Sequence, residues 1–114
     1  MKLVFFETPI FTSLLPDYLD DDSYQQLQKA LIANPEIGVV MRGTGGFRKL
    51  RWKDPRRGKG KRGGLRVIYY YLTEDRQIWM FTIFDKDEAA DLSADDRQAL
   101  KQAIRSELKA RRRV

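Results

Sequence analysis

The chain has 114 residues, of which 42% are hydrophobic, and its 22 Lys and Arg outnumber its 16 Asp and Glu to give a net charge of +6. That length predicts one domain over residues 1–114 with a substantial core, and the cationic surplus points to polyanionic partners. With no cysteine and no histidine, the composition excludes a disulfide framework, a thiolate or imidazole metal site, and every Ser-His or Cys-His nucleophile pair.

The chain starts MKLVFFETPIF, and Lys2 to Phe6 reads as a first short strand. Glu7 and Pro9 interrupt the apolar run, so it is not read as a signal peptide. No stretch approaches the roughly 18 apolar residues of a membrane span, so the expectation is a cytoplasmic protein without a membrane partner. Thr8-Pro9 suits a helix start, with Thr as N-cap and Pro at the first helical position. Pro16 is expected to break or kink that helix. Asp20 to Ser23 then caps a second helix, in which Tyr24, Leu27 and Leu31 form one apolar face. Asn34-Pro35 ends it.

Val39 to Met41 predicts a short strand, GTGG (43–46) a turn, and Phe47 to Lys53 a cation-rich strand. Asp54 to Gly63 reads as a basic, glycine-rich loop. Leu65 to Leu72 and Ile78 to Phe84 are strands by their β-branched and aromatic content, joined by a turn at Thr73 to Arg76. IWMFTIF is apolar on both faces, which places it inside the sheet. Ser93 caps a final helix whose buried face is Leu100, Ile104 and Leu108. The predicted fold is α+β: two N-terminal helices packed on a mostly antiparallel sheet of four to five strands, plus a C-terminal helix.

Charge is unevenly spread. Residues 42–66 hold eleven of the 22 Lys and Arg and seven of the eight glycines, and Asp54 is the one acid among them. The segment GKGKRGG is not a nucleotide-binding P-loop, because no Ser or Thr follows either lysine and a strand, not a helix, comes next. Strand alternation instead puts Lys49, Arg51 and Lys53 on one face, opposite Leu50 and Trp52. Arg66 sits between Leu65 and Val67 inside an otherwise apolar strand. A cation there is unnecessary for solvation and points to a phosphate-binding face. Tyr69, Tyr71, Trp79 and Phe81 are expected in the core, and Trp52 in core or rim rather than as a stacking platform for a base.

RNA carries its own nucleophile, the 2′-OH. A protein that cuts it must orient the hydroxyl, accept its proton, stabilise the phosphorane and protonate the leaving oxygen. Arginines suit the charge stabilisation. A lysine can accept the proton where neighbouring cations disfavour its charged form, and Lys49, beside Arg48 and close to Arg51, is so placed. Asp85, Asp87 and Glu88 are competing candidates as base or metal ligands, but no second carboxylate cluster accompanies them, which argues against two-metal chemistry.

GTGGFRKLRW, then GKGKRGGLRVIYYY, then a strand ending IFDKDEAADL, together resemble the HigB-type toxins of the RelE superfamily of toxin–antitoxin systems, over most of the chain. The resemblance implies a metal-independent, cofactor-free endoribonuclease. Such an enzyme cuts mRNA in the ribosomal A site by 2′-OH attack, leaves a cyclic phosphate and a 5′-OH, and inhibits translation. It implies mRNA and the ribosome as partners, and a cognate helix-turn-helix antitoxin. The family's catalytic cations correspond to Lys49, Arg51, Arg66 and Lys86. Arg48, Lys53, Arg56, Arg57, Lys59, Lys61, Arg62, Arg111 and Arg112 are the candidate contacts to RNA and ribosome. Relatives often have Tyr-Gly-Lys where this chain has Phe84-Asp85-Lys86, and no tyrosine lies between Asp87 and Val114. Arg66 and Lys86 are thus the candidates for the leaving-group acid, and Lys53 or a loop lysine rivals Lys49 as base. The other reading is a non-catalytic toxin of the gyrase-poisoning ParE type, or a plain RNA-binding module.

Overall fold

The computed structural model describes residues 2–56, 64–87 and 92–112, with the side chain of Arg112 outside that set. The elements run β1 (Val4–Glu7), α1 (Pro9–Tyr18), α2 (Asp21–Ala33), β2 (Val39–Val40), β3 (Arg48–Trp52), β4 (Leu65–Leu72), β5 (Gln77–Asp85) and α3 (Ala94–Arg112). The five strands form one sheet in the order β1-β5-β4-β3-β2, antiparallel throughout except for the parallel pair β1 and β5. The α+β architecture matches the expectation, with β5 between two neighbours as its apolar faces require.

Local chemistry explains the helix starts. The Thr8 hydroxyl accepts from the Phe11 amide, and the Asp20 carboxylate accepts from the Ser23 amide, each satisfying a first-turn donor. That amide holds the Asp20 pKa below its usual value. Ser93 and Asp96 cap α3 reciprocally, each side chain accepting from the other's amide. Pro16 does not break α1. It sits two residues before the helix ends, where its missing N–H removes only one bond.

Strand alternation sorts side chains between two layers. Leu50, Trp52, Leu65, Val67, Tyr69, Ile78, Met80 and Ile83 pack with Phe11, Tyr18 and Leu19 around α1 and with Leu27 and Leu31 of α2. Fully burying each such side chain stabilises the fold by roughly 1.5–3 kcal/mol. On the other face Ile68 and Phe47 pack with Ile104, flanked by Tyr70, Phe81, Phe84, Leu100 and Leu108. This second layer is covered by α3. Ile68 pairs with Thr82 but Tyr69 pairs with Met80, so Phe81 is a bulge. The extra residue re-aims β5, and Phe81 packs edge-on to Phe47, 4.5 Å between centroids.

The turn before β3 is held from within. The buried Thr44 hydroxyl donates to the Met41 carbonyl and accepts from the Phe47 amide. Gly43, Gly45 and Gly46 have positive φ there, which side chains rarely adopt. Tyr69 pins the segment after α2. Its hydroxyl donates to the Pro35 carbonyl and accepts from the Gly38 amide.

Candidate nucleic-acid interface

The register places the predicted strand cations together. Arg51 lies directly opposite Arg66, and Lys49, two residues along, lies opposite Ile68. All three share the α3 side of the sheet, where Ile104, Leu100 and Leu108 of α3 pack with its apolar residues. Directly opposed residues have Cβ atoms about 4.5–5.5 Å apart, and like charges so placed repel. Arg51 is exposed, while Lys49 and Arg66 are half-buried. One Arg66 Nη donates to the Leu65 carbonyl at 3.2 Å, which folds the guanidinium back along its own strand. Phe84, opposite Arg66 on β5, gives the pair an apolar floor.

Lys86 immediately follows β5 and is exposed. It lies at the same end of the sheet, because Asp85 pairs with Leu65 and Leu65 with Trp52. Lys53 follows β3 at that end and is also exposed. A hollow of about 530 Å3 runs along the β3 edge past the short β2, lined by Ile37, Val39, Lys49, Leu50, Arg51 and Trp52.

Three other predicted contacts are engaged inside the molecule. Arg48 has the opposite parity to Lys49 and donates to the Gly38 carbonyl at 2.8 Å, to the Glu36 carbonyl and to the Glu36 carboxylate. Arg111 donates to Asp75 at 2.7 Å and to Glu107, and its guanidinium lies over the Trp79 ring, fastening α3 to the β4–β5 hairpin. Arg56 grips Asp54 with a two-pronged pair of bonds, Nε and Nη2 at 3.0 and 2.9 Å. The same Nη2 stands 3.5 Å from Asp85. The hydrogen bond to Asp54 raises the Arg56 pKa further, against the opposing effect of desolvation. Arg57, Lys59, Lys61 and Arg62 lie outside the described residues, as do Glu88 and the side chain of Arg112.

Asp85 was a candidate base or ligand. It is fully buried against Arg56, away from the cation face, and its second oxygen accepts the Asp87 amide. That arrangement suits framing rather than proton transfer. Among the described residues no group of three or more His, Cys, Asp or Glu is arranged to hold a metal ion. Trp52 is buried and packs in the α1/α2 layer. Tyr69 has its pKa raised, chiefly by burial, and its hydroxyl is used on Pro35 and Gly38, so it is no proton donor for a leaving group.

The clamp formed by Asp54, Arg56 and Asp85 was missed in the sequence, although two signals were present. Asp54 is the lone acid among the eleven cations of residues 42–66, and Asp85 is the lone charged residue of the last strand. Both are buried.

No protein-family model matches the chain. Solved structures do resemble it. A double arginine-to-alanine mutant of the E. coli toxin RelE in the free state superposes with a TM-score of 0.54 at 17% identity, covering 79% of this chain and 90% of that one. The fold is that of RelE. The isolated E. coli RelE toxin gives 0.52 at 18% identity over 90% of this chain and 99% of its own. The intact E. coli RelBE toxin–antitoxin complex gives 0.52 at 17%, covering 74% and 96%. The RelE fold thus accounts for the strand order and for the three helices. Among the described residues no helix is long and apolar enough to cross a membrane.

Proposed function

We propose that the chain is the toxin of a type II toxin–antitoxin pair of the HigB kind, a ribosome-dependent, metal-independent endoribonuclease that cuts mRNA in the A site. The observation that carries this reading is the cross-strand pair Arg51 and Arg66 with Lys49 beside it, on the α3 side of the sheet. The fold shared with E. coli RelE, described as a toxin, supports it. The RelBE complex supports an antitoxin partner.

In this mechanism the scissile phosphate lies across Arg51 and Arg66. Their planar donors bind its non-bridging oxygens and stabilise the charge that grows as the phosphorane forms. Lys49 accepts the proton of the 2′-OH, whose oxygen bonds to phosphorus. The bond from phosphorus to the 5′ oxygen breaks, and Lys86 returns a proton to that oxygen. The products are a cyclic phosphate and a 5′-OH. Holding the message in line is the ribosome's part, and such positioning alone contributes roughly 7–11 kcal/mol. That makes a sparse set of protein groups sufficient. Lys53, Arg57, Lys59, Lys61, Arg62 and Arg112 supply contacts to message and ribosomal RNA, while Arg48, Arg56 and Arg111 hold the frame.

The test is to map message ends in a purified translation reaction, with the chain added to programmed ribosomes and to naked mRNA. Ribosome-dependent cuts within A-site codons, bearing a cyclic phosphate, are expected. Intact message together with poisoned gyrase would move the protein to the ParE-type reading.

A further inference from the structure

Two acids are buried at the same end of the sheet as the cation face. Asp54 follows β3 by two residues and Asp85 closes β5, and both are inaccessible to solvent. One guanidinium serves both. Arg56 binds both Asp54 oxygens and reaches Asp85 Oδ2 with the same Nη2. Its other Nη donates to the Asp17 carbonyl at 2.8 Å, and its face lies 4.7 Å from the centre of the Tyr18 ring. The arginine is therefore held by β3's exit, β5's end and the C-terminal turn of α1.

The consequence falls on Lys86. Asp85 uses Oδ2 on Arg56 and Oδ1 on the Asp87 amide, at 2.8 Å. The second bond closes an Asx-turn around Lys86, which fixes that residue's backbone without touching its ammonium group. Removing the arginine takes away one of the groups that orient the Asp85 carboxylate, and the turn it closes is expected to loosen.

We propose that Arg56 is a positioning residue of the site: by orienting Asp85 it sets the turn that presents Lys86 at the sheet end where Arg51 and Arg66 meet. The inference rests on the ribonuclease reading above. It assigns Arg56 a part quite different from a direct RNA contact, although 37% of its side chain is exposed and a phosphate can reach it. An arginine is required because a lysine's single nitrogen cannot reproduce the fork on Asp54 and also reach Asp85.

Cleavage on programmed ribosomes, measured as separate kcat and KM, decides between these parts. Arg56→Lys retains the charge and guards against simple unfolding. It is expected to lower kcat about tenfold or more, as misplacement of a reacting group does, with KM unchanged within about twofold. In a Lys86→Ala background the same change is expected to have almost no further effect, since residues acting through one another are not additive. Hydrogen exchange on the free protein gives a second readout. The Asp87 amide should lose protection in Arg56→Lys while the Ile83 amide in β5 retains it. Additive losses, or a raised KM with kcat intact, would overturn the proposal and make Arg56 an RNA contact. Unchanged Asp87 exchange would overturn it as well. A wild-type chain that cuts no message defeats the ribonuclease reading instead, and the exchange comparison still decides whether Arg56 holds the turn.

Discussion

The two faces of the sheet are built from the same strands and do opposite work. Toward α1 and α2, the row Leu50, Val67 and Ile83 is apolar from strand to strand and sealed. On the α3 side, the neighbouring row Arg51, Arg66 and Phe84 is two-thirds cationic, with Arg51 exposed and the other two half-buried. A shift of one residue along any strand would exchange the faces. The buried face therefore fixes the register, and the register in turn brings two arginines into opposition that repulsion alone would separate. Stability is stored on one side so that charge can be concentrated on the other.

Four changes would break or sharpen that contrast. The largest effect is expected on the sealed side. Ile83→Ala removes a fully buried side chain from the α1/α2 layer and should destabilise the fold by about 2–5 kcal/mol in urea titration, with cleavage per folded molecule unchanged. On the cationic side, Arg51→Ala should do the reverse. Cleavage is expected to fall about a hundredfold, roughly 2.7 kcal/mol, the scale of one lost transition-state donor. Thermal stability should hold or rise, since a like-charge pair is relieved. Binding to single-stranded RNA should also depend less on salt in this variant, its log–log slope becoming shallower by up to about 0.7.

Gly38→Ala should destabilise by about 1–3 kcal/mol. Its new Cβ would fall 2.8 Å from Tyr69 Cε1 and disturb the hydroxyl that Pro35 and Gly38 share. Equilibrium unfolding measures the loss, and the Arg48 bond to the Gly38 carbonyl makes the β2 edge the region to loosen first. The smallest effect concerns the Asp20 cap of α2. Its folded pKa is lowered, so its contribution is present above the unfolded value of about 4 and lost as pH falls through the folded one. A pH series should show Asp20→Asn losing less stability below pH 4 than the wild type, with the two curves parallel above it.

Much of this arrangement could be read from the residues. Alternation in RKLRW and LRVIYYYL was sufficient to separate Leu50 and Trp52 from Lys49 and Arg51, and to mark Arg66 as a cation on a strand with no need of one. The apolar β5 announced its interior position, and Ser93, Thr8 and Asp20 announced their helices. Pairing was not legible, because alternation says which face a residue takes and nothing about its neighbour on the next strand. The opposition of Arg51 and Arg66 had to be seen. The bulge at Phe81 was equally hidden, since it shifts one strand against another and leaves no mark in either. The internal engagements of Arg48, Arg56 and Arg111 were hidden for a different reason. A guanidinium that binds a carboxylate of its own chain and one that binds a phosphate have the same sequence signature; for Arg56 the burial of Asp54 and Asp85 tells them apart, and for Arg48 and Arg111 the folded contacts to Glu36, Asp75 and Glu107 do.

The most direct test of the central claim compares two alanine variants by primer extension on one message in a purified translation reaction. Arg66→Ala removes a cation of the cationic face, and Lys29→Ala removes one from α2 on the far side of the sheet. The account predicts that Arg66→Ala erases the A-site cuts while remaining folded, and that Lys29→Ala cuts at the wild-type rate. Equal loss in both variants, or full cutting by Arg66→Ala, would contradict it.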